Sequence, residues 1–585
     1  MKELQKLNKY FIKYKYRFLL GIVITIAAQI FMIFAPKYIG DAITILENFL
    51  KHEISAQEAK DGLWNSLYII VGTSLIAGFL TFLMRQTIIV MSRHIEFDLK
   101  NEIYDHYQKL GLDFYKRQRT GDLMSRISED VAKVRQYVGP AVMYSINTLI
   151  RMTVVIVQMY LISPKLSWYA LIPVPFLAII MLKLSRQVNQ RSFAYQQNLS
   201  KLSSFSQEIF SGIRVIKAYA LENRESKAYD QATTESKNKY MRLAYSNALI
   251  GPLMVLLIGI SNLLIVFIGA QMFINGEITE IGIIAQFILY INMLTWPIAS
   301  LGWVSTMIQE ADSSQKRINE FLNEIPSIQS TTNEQILLDG KIIFENVHFI
   351  YEDTKIHALN NISFTINKGE TVAFLGKTGS GKSTILQLIS RLYDVSSGSI
   401  LIDDKNIKDW NVENLRNQIA VVPQDAFLFS DSIKNNIKFG KEDASQEEIE
   451  HYAKVADVHK NIIRFEKGYD TILGERGITL SGGQKQRVSI ARALIKDAPV
   501  LLLDDCLSAV DTETEEQILN NLKEIAQKKT TLIVTHRVSS AKNADKIIIL
   551  NDGEIVEQGT HNQLINLNGY YANLYKKQLA EKDVL

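Results

Sequence analysis

Residues 371–389 read TVAFLGKTGSGKSTILQLI, and this stretch decides the fold of the second half of the chain. It opens with an apolar strand, Thr371–Leu375, and closes by starting a helical run, Thr384–Leu392. Between them, Gly376-Lys377-Thr378-Gly379-Ser380-Gly381-Lys382-Ser383 fills the phosphate-loop pattern completely. Glycines let successive backbone N–H groups curl around phosphates, and the start of the helix adds positive potential. Lys382 is expected to reach the β- and γ-phosphates and Ser383 to coordinate a magnesium ion, with Thr384 completing the nucleotide-binding set. ATP and Mg²⁺ are therefore the expected ligands.

Working outward, Pro499–Asp505 (PVLLLDD) is a second apolar strand, ending in two carboxylates. Asp504 is placed to hold Mg²⁺ and Asp505 to polarise an attacking water. Further β-branched runs, such as Lys341–Val347, alternate with helical patterns, which predicts an α/β domain with a mostly parallel sheet over residues 341–585. The polar segment Pro326–Gly340 (PSIQSTTNEQILLDG) before it is expected to be a linker.

The first 325 residues have a different character. Six stretches, at approximately 18–39, 64–86, 140–162, 166–184, 247–274 and 280–306, approach the roughly 20 apolar residues needed to cross about 30 Å of hydrocarbon. The predicted architecture is thus multidomain: an all-α six-helix transmembrane domain followed by an α/β P-loop ATPase domain. The basic segment MKELQKLNKYFIKYKYR ahead of the first span is expected to lie along the cytosolic membrane surface. Net charge is only +3 over 585 residues, so nothing points to nucleic acid. A single cysteine, Cys506, rules out a disulfide within the chain.

Orientation follows from the loops. The connections around Ser163-Pro164 and Asn275-Gly276-Glu277 are short, and the one after the first span is acidic. Two connections of about 50–60 residues are basic, carrying Lys116, Arg117, Arg119 and Arg126 in one and Arg186, Arg191, Arg214 and Lys217 in the other. These belong in the cytosol, together with both termini. Nearly free of proline, they are expected to form helical levers projecting about 30 Å or more beyond the bilayer. Gln29, Arg151 and Gln158 fall within spans and are candidates to line a pathway or to pair between helices, whereas Arg85 can snorkel. Pro297 is expected to kink the sixth span.

Leu480-Ser481-Gly482-Gly483-Gln484 opens another helix, and composition alone would produce this pentapeptide in fewer than about one chain in a thousand. It resembles the signature of the ABC transporter family, and the family's other motifs follow in order. Tyr351 matches the aromatic residue that stacks on adenine and Gln424, in VVPQD, the Q-loop glutamine that reaches the metal and the water. Ser508-Ala509-Val510-Asp511 matches the D-loop and His536 the switch histidine. In the membrane half, residues 120–126 (TGDLMSR) and 212–218 (GIRVIKA) resemble the two coupling-helix regions of ABC exporters.

The resemblance implies an ATP hydrolase coupled to export, working by alternating access as half of a dimer. In the family, one chain's signature closes over the nucleotide on the other's phosphate loop, so Leu480–Gln484 would act on a partner's ATP. The implied cargo is a small amphiphile, whether drug-like compound, lipid or lipopeptide, in contact with membrane lipid. The implied location is a bacterial inner membrane. Asp505 departs from the pattern, because the family usually has Glu there. That departure resembles the less active subunit of bacterial heterodimeric multidrug exporters. A heterodimer is accordingly the preferred expectation and a homodimer the alternative, with Asp505, His536 and Gln424 as the expected catalytic set.

Overall fold

The computed structural model describes residues 3–474, 477, 480–526 and 528–582. They form two compact units, one of Met1–Gln108 and Thr120–Glu324, the other of Lys109–Arg119 and Ile325–Leu585.

In the first unit, six helical runs are long and apolar enough to cross a membrane: Lys15–Leu50, Ala56–Lys109, Thr120–Ile162, Pro164–Ser211, Glu222–Ile274 and Gly282–Leu322. The 54-residue second run would measure about 80 Å at 1.5 Å per residue, far more than the hydrocarbon needs. Helix continues well past the apolar stretch, as the scarcity of proline implied. The third and fourth runs meet at a tight turn. There Ser163 caps the helix through Leu166 N (3.4 Å), with Pro164 in the first turn, where its missing N–H costs nothing. The sixth run is broken at Leu294, between helices Gly282–Met293 and Thr295–Leu322, just before Pro297.

The spans pack through small residues. A Cβ added to Gly282 would lie 2.0 Å from the carbonyl oxygen of Gly40, so the first and sixth spans touch backbone to backbone. Inside the unit, Val155, Met159, Leu166, Phe287, Tyr290 and Ile298 form an apolar core. Outward-facing Leu75, Phe79, Leu149, Val255 and Phe267 are exposed, as lipid-facing side chains are. Arg151 Nε donates to Gln29 Oε1 (2.8 Å), and Gln29 Nε2 to Asn147 Oδ1 (2.6 Å), joining the first and third spans. Arg85 is exposed.

The N-terminal segment finds a protein surface. Leu4, Leu7 and Tyr10 are buried, Tyr10 donates to Glu102, and Lys13 pairs with Asp98 at 2.6 Å. The apolar stripe expected to lie on lipid is covered by the unit itself, because acidic side chains of the second run sit opposite its basic face.

The second unit carries two sheets. Five strands run parallel in the order β9 (Lys546–Asn551), β3 (Thr371–Gly376), β8 (Thr530–Val534), β7 (Val500–Asp504), β6 (Ile419–Val422), with β10 (Glu554–Gly559) antiparallel at the edge. Their runs are apolar on both faces, as parallel strands covered by helices must be. A separate antiparallel sheet, β2 (His357–Ile366), β1 (Ile342–Ile350), β4 (Ser397–Ile402), β5 (Lys405–Asn406), was not expected. Only residues 351–356 join β1 to β2, too few for the crossover that a parallel pair requires. Residues 326–340 form no helix or strand, yet they are fastened to this unit. Ile336 N and Leu338 N donate to Asn414 and Gln418, and Asp339, Gly340 and Lys341 N to the Asp403 carboxylate.

Candidate functional site

The phosphate loop leaves β3 at Gly376 and enters the helix Lys382–Ile389. Two glycines are demanded by geometry. A Cβ on Gly376 would fall 2.2 Å from the Leu550 carbonyl oxygen, and Gly381 has φ +94° with the Ala358 carbonyl 2.3 Å from its added Cβ. Lys377, Thr378 and Gly379 at the loop's crown are exposed. Lys382 Nζ donates to the carbonyl oxygens of Gly376 (2.9 Å) and Lys377 (2.8 Å), which holds its ammonium inside the loop. Ser380 Oγ is buried with no hydrogen-bond partner among the described residues, an orphaned polar atom in a cradle shaped for an oxyanion.

Strand β7 brings Asp504 beside this loop, where Ser383 Oγ donates to Asp504 Oδ1 at 2.7 Å. Burial, reinforced by Asp505, raises the Asp504 carboxyl above its usual range, against the Ser383 hydrogen bond and the nearby Lys382. Burial likewise lowers the Lys382 ammonium, against the pull of Asp505 and Asp504. A hydroxyl and a carboxylate are the hard oxygen donors that magnesium takes alongside phosphate oxygens. Among the described residues no group of three or more His, Cys, Asp or Glu could hold a metal unaided. The donor set fits Mg²⁺ bound together with its nucleotide.

Asp505 follows at φ +42°, its N–H donating to Val534 O (2.8 Å) at the end of β8. Its Oδ1 lies 3.0 Å from His536 Nδ1. Gln424, beyond the end of β6, is exposed. Tyr351 OH reaches Thr384 Oγ1 (3.0 Å) and Gln387 Oε1 (3.1 Å), which ties the ring to the phosphate-loop helix.

The signature begins the helix Gly482–Leu494. Ser481 is its N-cap, and a capping box with Gln484 closes the turn. Ser481 and Gly482 are exposed, and Leu480 is buried beneath them. Among the described residues, no hydrogen bond joins Leu480–Gln484 to Gly376–Thr384. Phosphate loop, Asp504, Asp505 and His536 thus converge, while the signature stands as a separate surface.

Sequence reasoning missed the residues that frame these loops. Gln486 Oε1 accepts from Ala509 N (3.1 Å) and its Nε2 donates to Ser508 Oγ (3.3 Å), so the signature helix holds the D-loop. Arg537 donates to Ser508 O (3.1 Å) and to the buried Glu515, which also accepts from Ser540. Their only sequence signal is adjacency to motifs, Gln486 to the signature and Arg537 to His536.

Fold and site define a membrane protein carrying a P-loop ATPase, with the exposed helix start at Ser481 and Gly482 standing apart from the phosphate loop. Residues 18–298 match the ABC transporter transmembrane region and residues 359–508 the ABC transporter family. The Multidrug resistance-like ATP-binding protein MdlA of Buchnera aphidicola (subsp. Schizaphis graminum) is 35% identical over 586 residues, covering 100% of both chains. The ATP-dependent lipid A-core flippase of Syntrophus aciditrophicus is 34% identical over 89% of this chain and 86% of its own. A bacterial Atm1-family ABC exporter, solved with ATP bound, superposes with a TM-score of 0.78 at 27% identity, over 98% of each chain. The chain belongs to the ABC transporters, as an exporter-type half-transporter in which one membrane region and one ATPase domain share a polypeptide.

Proposed function

We propose that this chain is one half of a dimeric pump that exports small amphiphilic molecules from the cytosol of a bacterial cell. Its ATPase domain and both termini face the cytosol and its spans lie in the inner membrane. The observation that carries the reading is the division of the nucleotide site. The phosphate loop and the carboxylates gather on one surface, and Ser481 and Gly482 stand exposed on another. Each needs a complement that a second ATPase domain supplies.

Closure of two such domains would trap ATP between Lys382 of one and a signature serine of the other. Ser383 and Asp504 would hold Mg²⁺, which neutralises charge on the β- and γ-phosphates. Asp505 would polarise the water that attacks the γ-phosphorus as ADP departs, with His536 orienting that carboxylate and Gln424 reaching the water and metal from the Q-loop. ATP favours the closed pair, and hydrolysis with release favours the open one, a two-state cycle driven by differential nucleotide affinity. Asp505 in place of Glu supports a heterodimer in which this chain's own site is slow and its signature serves a faster site on the partner. Two relatives, a multidrug resistance-like protein and a lipid A-core flippase, both support an amphiphilic cargo.

Proteoliposomes test the pump directly. With ATP supplied on the ATPase side, a fluorescent amphiphile should accumulate against its gradient, and Lys382→Ala should abolish ATP binding at this chain's site. Flux that only runs down the gradient, however much ATP is present, would instead describe a gated channel.

A further inference from the structure

The connection between the second and third spans contributes residues 109–119 to the ATPase unit. Its short helix, Leu112–Arg117, is seated by the buried Phe114 and by Ser327 Oγ, which donates to Asp113 Oδ1 at 2.8 Å. From this helix Lys116 reaches over the Tyr351 ring, its Nζ 4.6 Å from the centroid, and lies 5.0 Å from the centroid of Tyr393. The two rings stand at 89° to each other, so the ammonium sits in the angle between two aromatic walls. Among the described residues Lys116 forms no ion pair, and its contacts are these two rings. Around it lies a cleft of about 410 Å³ bordered by Asp113, Arg117, Tyr351, Asp353 and Tyr393.

Tyr351 cannot turn away from the cation, because its hydroxyl is anchored to Thr384 and Gln387 on the phosphate-loop helix. Phe349 stands against it as well, at 84° and 4.8 Å between centroids. An ammonium over one face of a ring excludes a purine from stacking on that same face.

We propose that Lys116 is a base-displaced latch: it occupies the face of Tyr351 on which the adenine of ATP stacks, and nucleotide binding expels it, releasing the helix Leu112–Arg117. The inference rests on Tyr351 being the base platform. Through it, arrival of the base, as distinct from the phosphates, is signalled to the connection between two membrane spans. Lys116 is a positioning residue that sets nucleotide affinity by competition, with no part in hydrolysis.

A double-mutant cycle on the full-length transporter in lipid nanodiscs tests this, with ATP affinity as the readout. Lys116→Ala should tighten ATP binding by about two- to fivefold, the range of an exposed cation–π contact, and Lys116→Gln should act in the same direction. In a Tyr351→Ala background, Lys116→Ala should change nothing. ATP should also speed amide exchange across residues 112–117 in the wild-type protein. Unchanged or weaker ATP binding in Lys116→Ala, or equal tightening with and without Tyr351, overturns the latch. If Tyr351→Ala alone leaves ATP affinity unaltered, the base platform itself is wrongly placed, and the latch falls with it.

Discussion

At Asp505 the carboxylate is held on a backbone turned to φ +42°, a conformation that Asp adopts more readily than Glu. Its Oδ1 engages His536 at 3.0 Å, which leaves Oδ2 as the oxygen that a water could meet. A Glu carboxylate would extend one methylene farther toward that water, so under the proposed function Asp505 serves it at a longer distance. Asp505→Glu should therefore raise ATP hydrolysis by this chain's site about tenfold or more, since misplacement of about 1 Å can cost about 10²-fold. It should also lower stability by about 1 kcal/mol through the left-handed backbone. Steady-state ATPase assays and thermal melts read the two effects separately, and an unchanged rate would remove side-chain length as the cause of a slow site. The residues at this scale were legible in the sequence because phosphate chemistry dictates both their types and their spacing. Lys116 was not, since nothing in the spacing of a basic loop reveals an aromatic face that tertiary folding brings to it.

Among the elements, Gly40 and Gly282 bring the first and sixth spans into backbone contact. Gly282→Val would drive a branched side chain into a carbonyl that has no room to move. The expected cost is about 1–3 kcal/mol or more, visible as a lower melting temperature and reduced yield of folded transporter in detergent. Retention of wild-type stability would mean that the two helices separate freely at this crossing. Apolar length was enough to find all six spans, and β-branched runs with alternating helices were enough to find the parallel sheet. The antiparallel sheet escaped notice because its strands look like any others, and only the brevity of 351–356 betrays their direction. The helix Leu112–Arg117 escaped as well. Neither its polarity nor its propensity separates it from the residues that follow, so its grouping with the ATPase unit is a tertiary fact.

At the scale of the whole molecule, the chain carries one phosphate loop and one signature, and among the described residues no hydrogen bond connects them. Under the proposed function, one chain provides halves of two different sites. The family's motifs made that division readable from sequence, but the identity of the complement depends on a surface belonging to another molecule. The measurement that tests it most directly is gentle purification of the tagged chain from the cells that make it, with every co-purifying subunit identified by mass spectrometry and the complex assayed for ATP hydrolysis. The account predicts a second, homologous half-transporter that carries Glu where this chain has Asp505. Recovery of this chain alone, as a dimer that hydrolyses ATP briskly, would contradict it and make Asp505 catalytically sufficient.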